Sequence, residues 1–242
     1  MKRHCTATRP VYRPLALLLM LALTLFAVAG CGDKEPEQRK AFAAFLNEKI
    51  LSRKGVSLPE LSREEKNSFG EYAAHYEILT AFQAAMKKEA DRNARELLAL
   101  AEFEDLASLA KRERSMRKGV KEAEGLQKSI TALRKKTDAA RDKLSLPDGL
   151  APAYNAAYDK VVTLPAAAAV TNFAAVSDAF SANLELLDFI NANHRDMEID
   201  GKNINLRNPG LKDALQAKMT AVNEKTALQY KAYADMMRTM LQ

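Results

Sequence analysis

The sequence predicts an all-α protein: an elongated helical bundle with coiled-coil-like long helices and one small β-hairpin at about residues 196–206. Three observations lead to this fold class. Ala, Leu, Lys and Glu dominate the composition, and the 242 residues include only 9 Gly and 8 Pro. Apolar side chains recur at steps of three and four over most of the chain. The alternation that is typical of strands is confined to the stretch around Asp200-Gly201.

The first thirty residues have the features of a bacterial secretion signal. Residues 1–14 carry four basic side chains and no acidic one: Lys2, Arg3, Arg9 and Arg13. An apolar run starting at Leu15 and small residues before Cys31 complete the secretory pattern. The run is shorter than the roughly 20 apolar residues of a transmembrane helix. We therefore expect residues 1–30 to be removed as a signal peptide.

Cys31 is the predicted lipidation site. Ala29 and Gly30 precede it, as in the lipobox of bacterial lipoproteins, where the Cys thiol is diacylated and the chain is cut before it, here between Gly30 and Cys31. The alternative is an ordinary signal peptide cut near Ala29. Asp directly after the Cys favours inner-membrane retention in such lipoproteins, whereas this chain has Gly32. We expect a lipid-anchored protein of the outer membrane that faces the periplasm, with the inner membrane as the alternative.

Removal of the signal changes the charge and thiol content of the chain. The whole chain has 37 basic and 31 acidic residues. The signal takes away four of the basic ones, so that 33 face 31 and the net charge falls from +6 to +2. The basic excess is therefore no evidence for nucleic-acid binding. Cys5 leaves with the signal and Cys31 is lipidated, so no thiol remains for a disulfide, a metal site or nucleophilic catalysis.

We expect three segments: the signal peptide at 1–30, a lipidated tether at 31–35 and a single helical domain at 36–242. The tether spans at most about 18 Å, so the first helix lies close to the bilayer. Its apolar positions are Phe42, Phe45, Leu46 and Ile50, and Lys54-Gly55 is its expected stop. This stripe faces either the core, which is the preferred interpretation, or the membrane surface.

The next helix is predicted from its start signal. Leu58-Pro59 begins a loop, and Ser62-Arg63-Glu64-Glu65 matches a capping box. We expect this helix to bend or restart at Gly70. The apolar positions that follow are Tyr72, Tyr76, Leu79, Phe82 and Met86. Whether residues 90–145 form one continuous helix stays open.

Two heptad-like seams predict long helices that pack side by side. The first runs Met116, Val120, Ala123, Gln127, Ile130, Leu133, Thr137, Ala140 and Leu144. A helix over 105–145 measures about 60 Å, which indicates an extended helical hairpin or stalk. After a turn at Leu146-Pro147-Asp148-Gly149 and a short helix over 150–163, Pro165 is the expected start of another helix. Its seam is Val170, Phe173, Ser177, Phe180, Leu184, Leu187 and Asn191.

The chain ends with a predicted hairpin and a last helix at about 210–241. Apolar residues alternate from Met197 to Leu206 around Asp200-Gly201. The apolar positions of the last helix are Leu215, Met219, Val222, Tyr230, Tyr233, Met237 and Met240. Tyr230, Tyr233 and Met237, like Phe173 and Phe180, are interpreted as core residues; the alternative is a greasy ligand groove.

Short motifs in a fixed order carry a resemblance to a known family. They are Gly30-Cys31, Asp33-Lys34-Glu35, Gln38-Arg39-Lys40-Ala41-Phe42, Phe45-Leu46, Leu58-Pro59, Phe69-Gly70, Tyr76, Ile78-Leu79, Lys160-Val161-Val162-Thr163, Pro165-Ala166, and Ile199, Gly201 and Ile204 of the hairpin. With them the chain resembles the YiaF-like bacterial lipoproteins, a family built on a domain of unknown function. The resemblance is weakest across 90–145. It implies a helical lipoprotein, and it supplies no established activity or catalytic residues to carry over, so that the function stays open.

The candidate chemistry is sparse. His75 and His194 are the histidines left after cleavage, and Glu71 lies one helical turn before His75. This pair supplies half a metal site, which His194 or a carboxylate would have to complete. A solvated or hydrogen-bonded histidine is the preferred interpretation, so we expect neither metal nor cofactor. The motifs G-x-S-x-G, H-E-x-x-H and the P-loop do not occur. We expect no catalytic residues and no enzymatic activity.

One basic run is a candidate binding surface. Six basic residues stand in it: Lys111, Arg112, Arg114, Arg117, Lys118 and Lys121. Such a run binds anionic lipid or a polyanionic envelope polymer, or it is a solvated face balanced by acidic neighbours, which we prefer.

The sequence thus predicts a non-enzymatic interaction or structural module with the helix seams as its partner-binding surface. The expected partners are the membrane through the lipid anchor and an envelope protein or anionic lipid, and no nucleic acid. The alternative is a binding protein for a small amphiphile or lipid. An enclosed apolar cavity near Phe173, Phe180 and Tyr230 would favour that alternative.

Overall fold

The structure is a computed structural model of the 242-residue chain, and it describes residues 34–99, 110–200 and 203–242. Helices make up most of these residues: α1 (Glu35–Phe45), α2 (Arg63–Phe69), α3 (Tyr72–Ala99), α4 (Glu113–Arg141), α5 (Ala151–Tyr158), α6 (Leu164–Ala192) and α7 (Lys212–Leu241). Strands β1 (Met197–Asp200) and β2 (Asn203–Leu206) form one antiparallel pair. The predicted all-α class with one small β-hairpin is confirmed.

Helix α1 belongs to the core. It continues through a π-helical turn, Leu46–Leu51, and all four residues of its apolar stripe are buried: Phe42, Phe45, Leu46 and Ile50. The core interpretation of this stripe is therefore confirmed. The helix begins at Glu35, inside the segment that the sequence predicts to be tether, so the folded part starts at the last residue of 31–35.

The predicted start signal of the next helix is present. Ser62 Oγ accepts the N–H of Glu65 at 3.1 Å, and a carboxylate oxygen of Glu65 accepts the N–H of Ser62 at 2.8 Å. Helix α2 ends at Gly70, which adopts a φ of +55°, and α3 restarts at Tyr72. The expected restart at Gly70 is confirmed.

The long helix that follows α4 is unbroken, which corrects one prediction. Residues Ala151–Ala192 form one helix of 42 residues, rather than a short helix and a second one that starts at Pro165. A π-helical turn, Asp159–Thr163, joins α5 to α6, and the N–H of Leu164 bonds to the carbonyl of Asp159. Because Pro165 has no N–H to donate, it fits directly after this wider turn, where the α-helical ladder is already interrupted.

Helix α4 runs antiparallel to the long helix. Arg117 Nη2 lies 2.6 Å from Asp188 Oδ1 near the end of α6. At the other end, the Tyr158 hydroxyl donates to Asp138 Oδ1 at 2.7 Å. As the residue number rises on α4, it therefore falls on the long helix. At about 1.5 Å per residue the long helix measures about 63 Å, so the bundle is elongated as predicted.

Helices α1 and α3 run parallel to α5. The ring of Phe42 lies 6.4 Å from that of Tyr154, and further along both helices Lys160 donates to the Ile50 carbonyl. Rings of α1 and α3 also pair in the same order, Phe42 with Tyr72 and then Phe45 with Tyr76. Since α4 is antiparallel to the same long helix, α3 and α4 form the predicted helical hairpin. The question whether residues 90–145 form one continuous helix falls on residues 100–109, which lie outside the described residues.

The two predicted seams pack against each other. Ala123 and Leu126 of α4 form one buried cluster with Val176 and Phe180 of α6. Met116 packs on Leu184 in the same manner further along. The seams are therefore used within the molecule, and the prediction that they form the partner-binding surface is wrong.

The hairpin and α7 complete the bundle. β1 and β2 pair in the register Met197 with Leu206 and Ile199 with Ile204. Met197 is buried with Leu186, Ile190 and Leu215. This packing is what a lone two-stranded hairpin requires for stability.

Candidate functional site

Helix α7 presents an uncovered apolar face. The exposed fraction is 39% for Met219, 60% for Tyr230, 40% for Tyr233 and 36% for Met237. Tyr230, Tyr233 and Met237 were predicted to be core, and that prediction is wrong. Scattered surface hydrophobic residues are normal, but contiguous ones on a single helix face mark an interaction site.

The exposed residues belong to a third heptad-like seam, here called the α7 seam. It runs Met219, Asn223, Thr226, Tyr230, Tyr233, Met237 and Met240, with steps of four and three. Thr226 and Met240 are half-buried and the other members are exposed. The apolar positions predicted for the last helix include the apolar members of this seam but not Asn223 and Thr226. The regular alternation of four and three is the signal that could have joined them into one seam.

The side of α7 next to the seam holds the helix on α6. Lys218 Nζ lies 2.7 Å from Glu185, and Lys225 Nζ lies 2.7 Å from Asp178. As α7 advances from 218 to 225, α6 recedes from 185 to 178, so the two helices are antiparallel. Leu215 and Ala232 are the buried residues of α7 among those that the structure describes. Docking through this side leaves the α7 seam open.

A polar pocket of about 680 Å³ lies at the end of the bundle where α1 and α3 begin, here called the N-terminal pole. Its lining residues are Lys34, Glu35, Gln38, Gly70, Glu71, Tyr72, His75 and Ser145. Gly70 shapes its floor because a Cβ at this left-handed position would overlap the side-chain amide of Gln38.

Burial shifts the pKa of two groups in this pocket. The Tyr72 hydroxyl donates to the Glu35 carboxylate, and burial together with this bond raises the pKa of Tyr72 to about 12. Burial also lowers the pKa of His75, against the opposing effect of Glu71. The Nδ1 atom of His75 is buried without a hydrogen-bond partner among the described residues. The pocket can hold a small polar ligand, with a neutral imidazole in its wall at pH 7.

His194 is not near Glu71 and His75, so it does not supply the second half of the metal site that was proposed for them. The His75 ring lies 6.1 Å from the Tyr154 ring at one end of the long helix. His194 follows the other end, where its Nδ1 is 3.0 Å from the Asn191 carbonyl oxygen. Tyr154 and Asn191 are about 55 Å apart at 1.5 Å per residue. Within the part of the chain that the structure describes, no group of three His, Cys, Asp or Glu residues is placed to hold a metal.

The basic run lies at the start of α4 and is partly neutralised. Arg117 pairs with both Glu113 and Asp188, and these bonds raise its pKa. Lys118 Nζ lies 3.1 Å from Glu122. Lys111, Arg114 and Lys121 are exposed and Arg112 is half-buried. This arrangement agrees with the preferred interpretation of a solvated face balanced by acidic neighbours.

The residues proposed to enclose an apolar ligand do not share a cavity. Phe180 is buried and Phe173 packs against the same cluster of α4 and α6 side chains. Tyr230 points to solvent on α7. The core interpretation is confirmed for Phe180, whereas Phe173 is half-buried.

The predicted signal peptide, with the cleavage residues Gly30 and Cys31 and the lipidation site Cys31, lies outside the described residues. Within the described residues, one helix, Ala151–Ala192, is long and apolar enough to cross a membrane by length and composition. Core helices of bundles share these properties, and α6 buries residues against both α4 and α7.

Comparison with known proteins supports the resemblance drawn from the sequence motifs. The model of a family described as "Protein of unknown function (DUF3053)" matches residues 17–237. "Uncharacterized protein YiaF" of Escherichia coli (strain K12) is 32% identical over 161 residues, which cover 64% of this chain and 64% of that protein. The protein of the same name from Shigella flexneri aligns with the same identity and coverage.

The match thus spans just under two thirds of the length of these curated relatives. No solved structure matches the chain at a significant level. The family model, in contrast, covers the sequence from within the apolar run to Met237 in the last turns of α7. The chain therefore belongs to the DUF3053 family of proteins of unknown function.

Proposed function

We propose that this protein is a lipid-anchored component of the bacterial envelope that acts by contact with a partner and has no enzymatic activity. In this proposal the protein lies at the periplasmic face of the outer membrane, where acyl chains on Cys31 hold it. The signal pattern of residues 1–30 supports the anchor. Helix α1 starts at Glu35, so at most about 14 Å of extended chain separates Cys31 from the folded domain.

The α7 seam is the observation that carries the contact function. Its heptad spacing is that of a helix which packs on another helix, and no helix of the described chain covers it. Two of its central residues are Tyr230 and Tyr233, and tyrosine is enriched at the energetic centres of interfaces. The occupant that this spacing fits is an α-helix that lies along α7.

A carrier function for a small amphiphile or lipid is the second candidate. A carrier needs an enclosed apolar cavity that buries most of its ligand. Phe173, Phe180 and Tyr230 do not enclose one, and the pocket at the N-terminal pole is lined by charged and polar side chains. The anionic-lipid role of the basic run is weaker for a similar reason, because Arg117 and Lys118 already pair with acidic side chains.

The anchor is tested by Cys31→Ser. We expect the variant to lose metabolic acyl labelling and to stay an uncleaved precursor, because the modified thiol is what licenses the cut. Mass spectrometry of the purified chain reads both effects. An unlabelled wild-type chain with a free Cys31 thiol would contradict the anchor.

The contact surface is tested by photo-crosslinking in growing cells. A photoreactive amino acid replaces Tyr230 in one strain and Leu228 in a control strain. Leu228 is 54% exposed and lies on the other side of α7. We expect a protein adduct at position 230 and none at 228. Equal labelling at both positions would show that the α7 seam is ordinary surface.

A further inference from the structure

The excess positive charge of the chain is concentrated on α4. Residues 111–143, which contain this helix, carry 12 basic and 5 acidic side chains. The rest of the chain after Cys31 carries 21 basic and 26 acidic ones. One helix is therefore strongly positive, whereas the remainder has a net negative charge. A charge asymmetry of this kind is typical of proteins that bind an anionic surface or polymer.

Four basic residues form a straight row along α4, here called the α4 row: Arg114, Lys121, Lys128 and Lys135. They recur at every seventh residue, a step that returns to within about 20° of the same helix face. All four side chains are exposed. The row faces away from the bundle, because Ala123 and Ile130 on the opposite side of α4 are buried.

The α4 row differs from the other basic residues at the start of the helix in its lack of ion pairs. Arg117 and Lys118 pair with acidic side chains. No member of the α4 row forms an ion pair with another residue of the described chain. Between Arg114 and Lys135, Glu124 is the one exposed acidic residue of α4. The row therefore keeps most of its positive charge.

The shape of the α4 row fits a flat partner. Its charges span about 32 Å of a straight helix at intervals of about 10.5 Å. Gly125 and Ala132, which are exposed between them, are too small to keep a plane away from the longer basic side chains. None of the exposed large apolar residues of the described chain lies on α4. All four charges can thus reach one surface together, in a contact that is electrostatic.

We propose that the α4 row docks the long side of the bundle on the surface of an anionic lipid bilayer, where its basic side chains meet lipid phosphates. Each basic residue near such a surface contributes about five-fold to the affinity. The four residues act together because they lie on one line. The inference uses the charges of α4 alone and depends neither on the α7 seam nor on acyl chains at Cys31.

Lysine methylation of the full chain tests the proposal. The purified chain is mixed with vesicles of phosphatidylcholine alone, or of phosphatidylcholine and phosphatidylglycerol in equal parts. Formaldehyde, a neutral reagent, and a reducing agent then methylate the lysines, and mass spectrometry gives the rate at each position. With anionic vesicles we expect the rates at Lys128 and Lys135 to fall about five-fold or more. They recover at about 1 M salt, where the Debye length is about 3 Å. The exposed Lys66 of α2 and Lys231 of α7 are internal controls with unchanged rates.

Two variants that remove the same charge locate the contact. Lys128→Gln with Lys135→Gln removes half of the row, so docking weakens about 25-fold and Lys121 loses its protection by anionic vesicles. Lys66→Gln with Lys231→Gln removes the same charge elsewhere, and Lys121 stays protected. Far-ultraviolet circular dichroism checks that both variants are folded. Loss of protection in both variants would show that only the net charge matters and would overturn the α4 row.

Two further outcomes exclude the bilayer as the partner. Unchanged methylation of Lys128 and Lys135 in anionic vesicles overturns the proposal directly. Protection by soluble polyphosphate without protection by anionic vesicles assigns the α4 row to a polymer and overturns the proposal as well.

Discussion

Lys160 ties the end of the first helix to the π-helical turn of the long helix. Its ammonium group donates to the carbonyl oxygens of Ile50 at 3.1 Å and Leu51 at 3.5 Å, and also to that of Arg53. The last carbonyls of a helix have no partner within it. A cation at this end also interacts favourably with the helix dipole.

The substitution Lys160→Met keeps the apolar stem and removes these donors. A hydrogen bond to a charged group contributes about 1.5–3 kcal/mol net. The bond to Leu51 is long, and Arg53 is exposed, so that water can replace the amine there. Of the three bonds, only the one to the Ile50 carbonyl then contributes its full free energy to stability. We expect the free energy of unfolding to fall by about 2–3 kcal/mol.

Urea unfolding of residues 32–242, followed by far-ultraviolet circular dichroism, measures this loss. Lys128→Met is the matched control, because Lys128 is exposed on α4. We expect the control to stay within about 0.5 kcal/mol of the wild type, as for most surface substitutions. If Lys160→Met fell in the same range as Lys128→Met, the ammonium group would not hold the helix end and the reasoning would be refuted.

Two other predictions concern stability. Gly125 is an exposed position inside α4 with open space around its Cα, so Gly125→Ala should raise the free energy of unfolding by about 0.5–1 kcal/mol; an unchanged urea midpoint would contradict this. Burial lowers the pKa of His75 in the folded state, so below its ordinary value of 6.5 the unfolded chain binds more protons, and stability falls as the pH falls from about 7 to about 5. His75→Gln should flatten this part of the stability–pH curve in urea titrations, and two curves of equal slope would count against it.

Local signals were predictable because their chemistry lies within a few residues. The Ser62–Glu65 box needs only one helical turn, and its two hydrogen bonds are present. The hairpin register follows from alternation around Asp200-Gly201. The buried stripe of α1 follows from apolar periodicity.

What the sequence could not decide depends on packing between distant segments. Tyr230 and Tyr233 have the periodicity of core residues whether their helix faces a core or a partner, and only the docking of α7 through Lys218 and Lys225 shows that they are uncovered. The π-helical turn before Pro165 likewise has no periodicity of its own. The pocket at the N-terminal pole needs Gln38 of α1 beside Gly70, which lies between α2 and α3.

The unbroken course of Ala151–Ala192 has a consequence for reach. A continuous helix is stiff, so the β-hairpin beyond its last residue stays about 60 Å from the pole where the chain emerges. Substitutions of side chains along the way leave that distance unchanged, whereas insertion or removal of whole turns would alter it. If acyl chains on Cys31 hold the molecule as proposed, the length of this one helix fixes how far the hairpin lies from the pole next to the anchor.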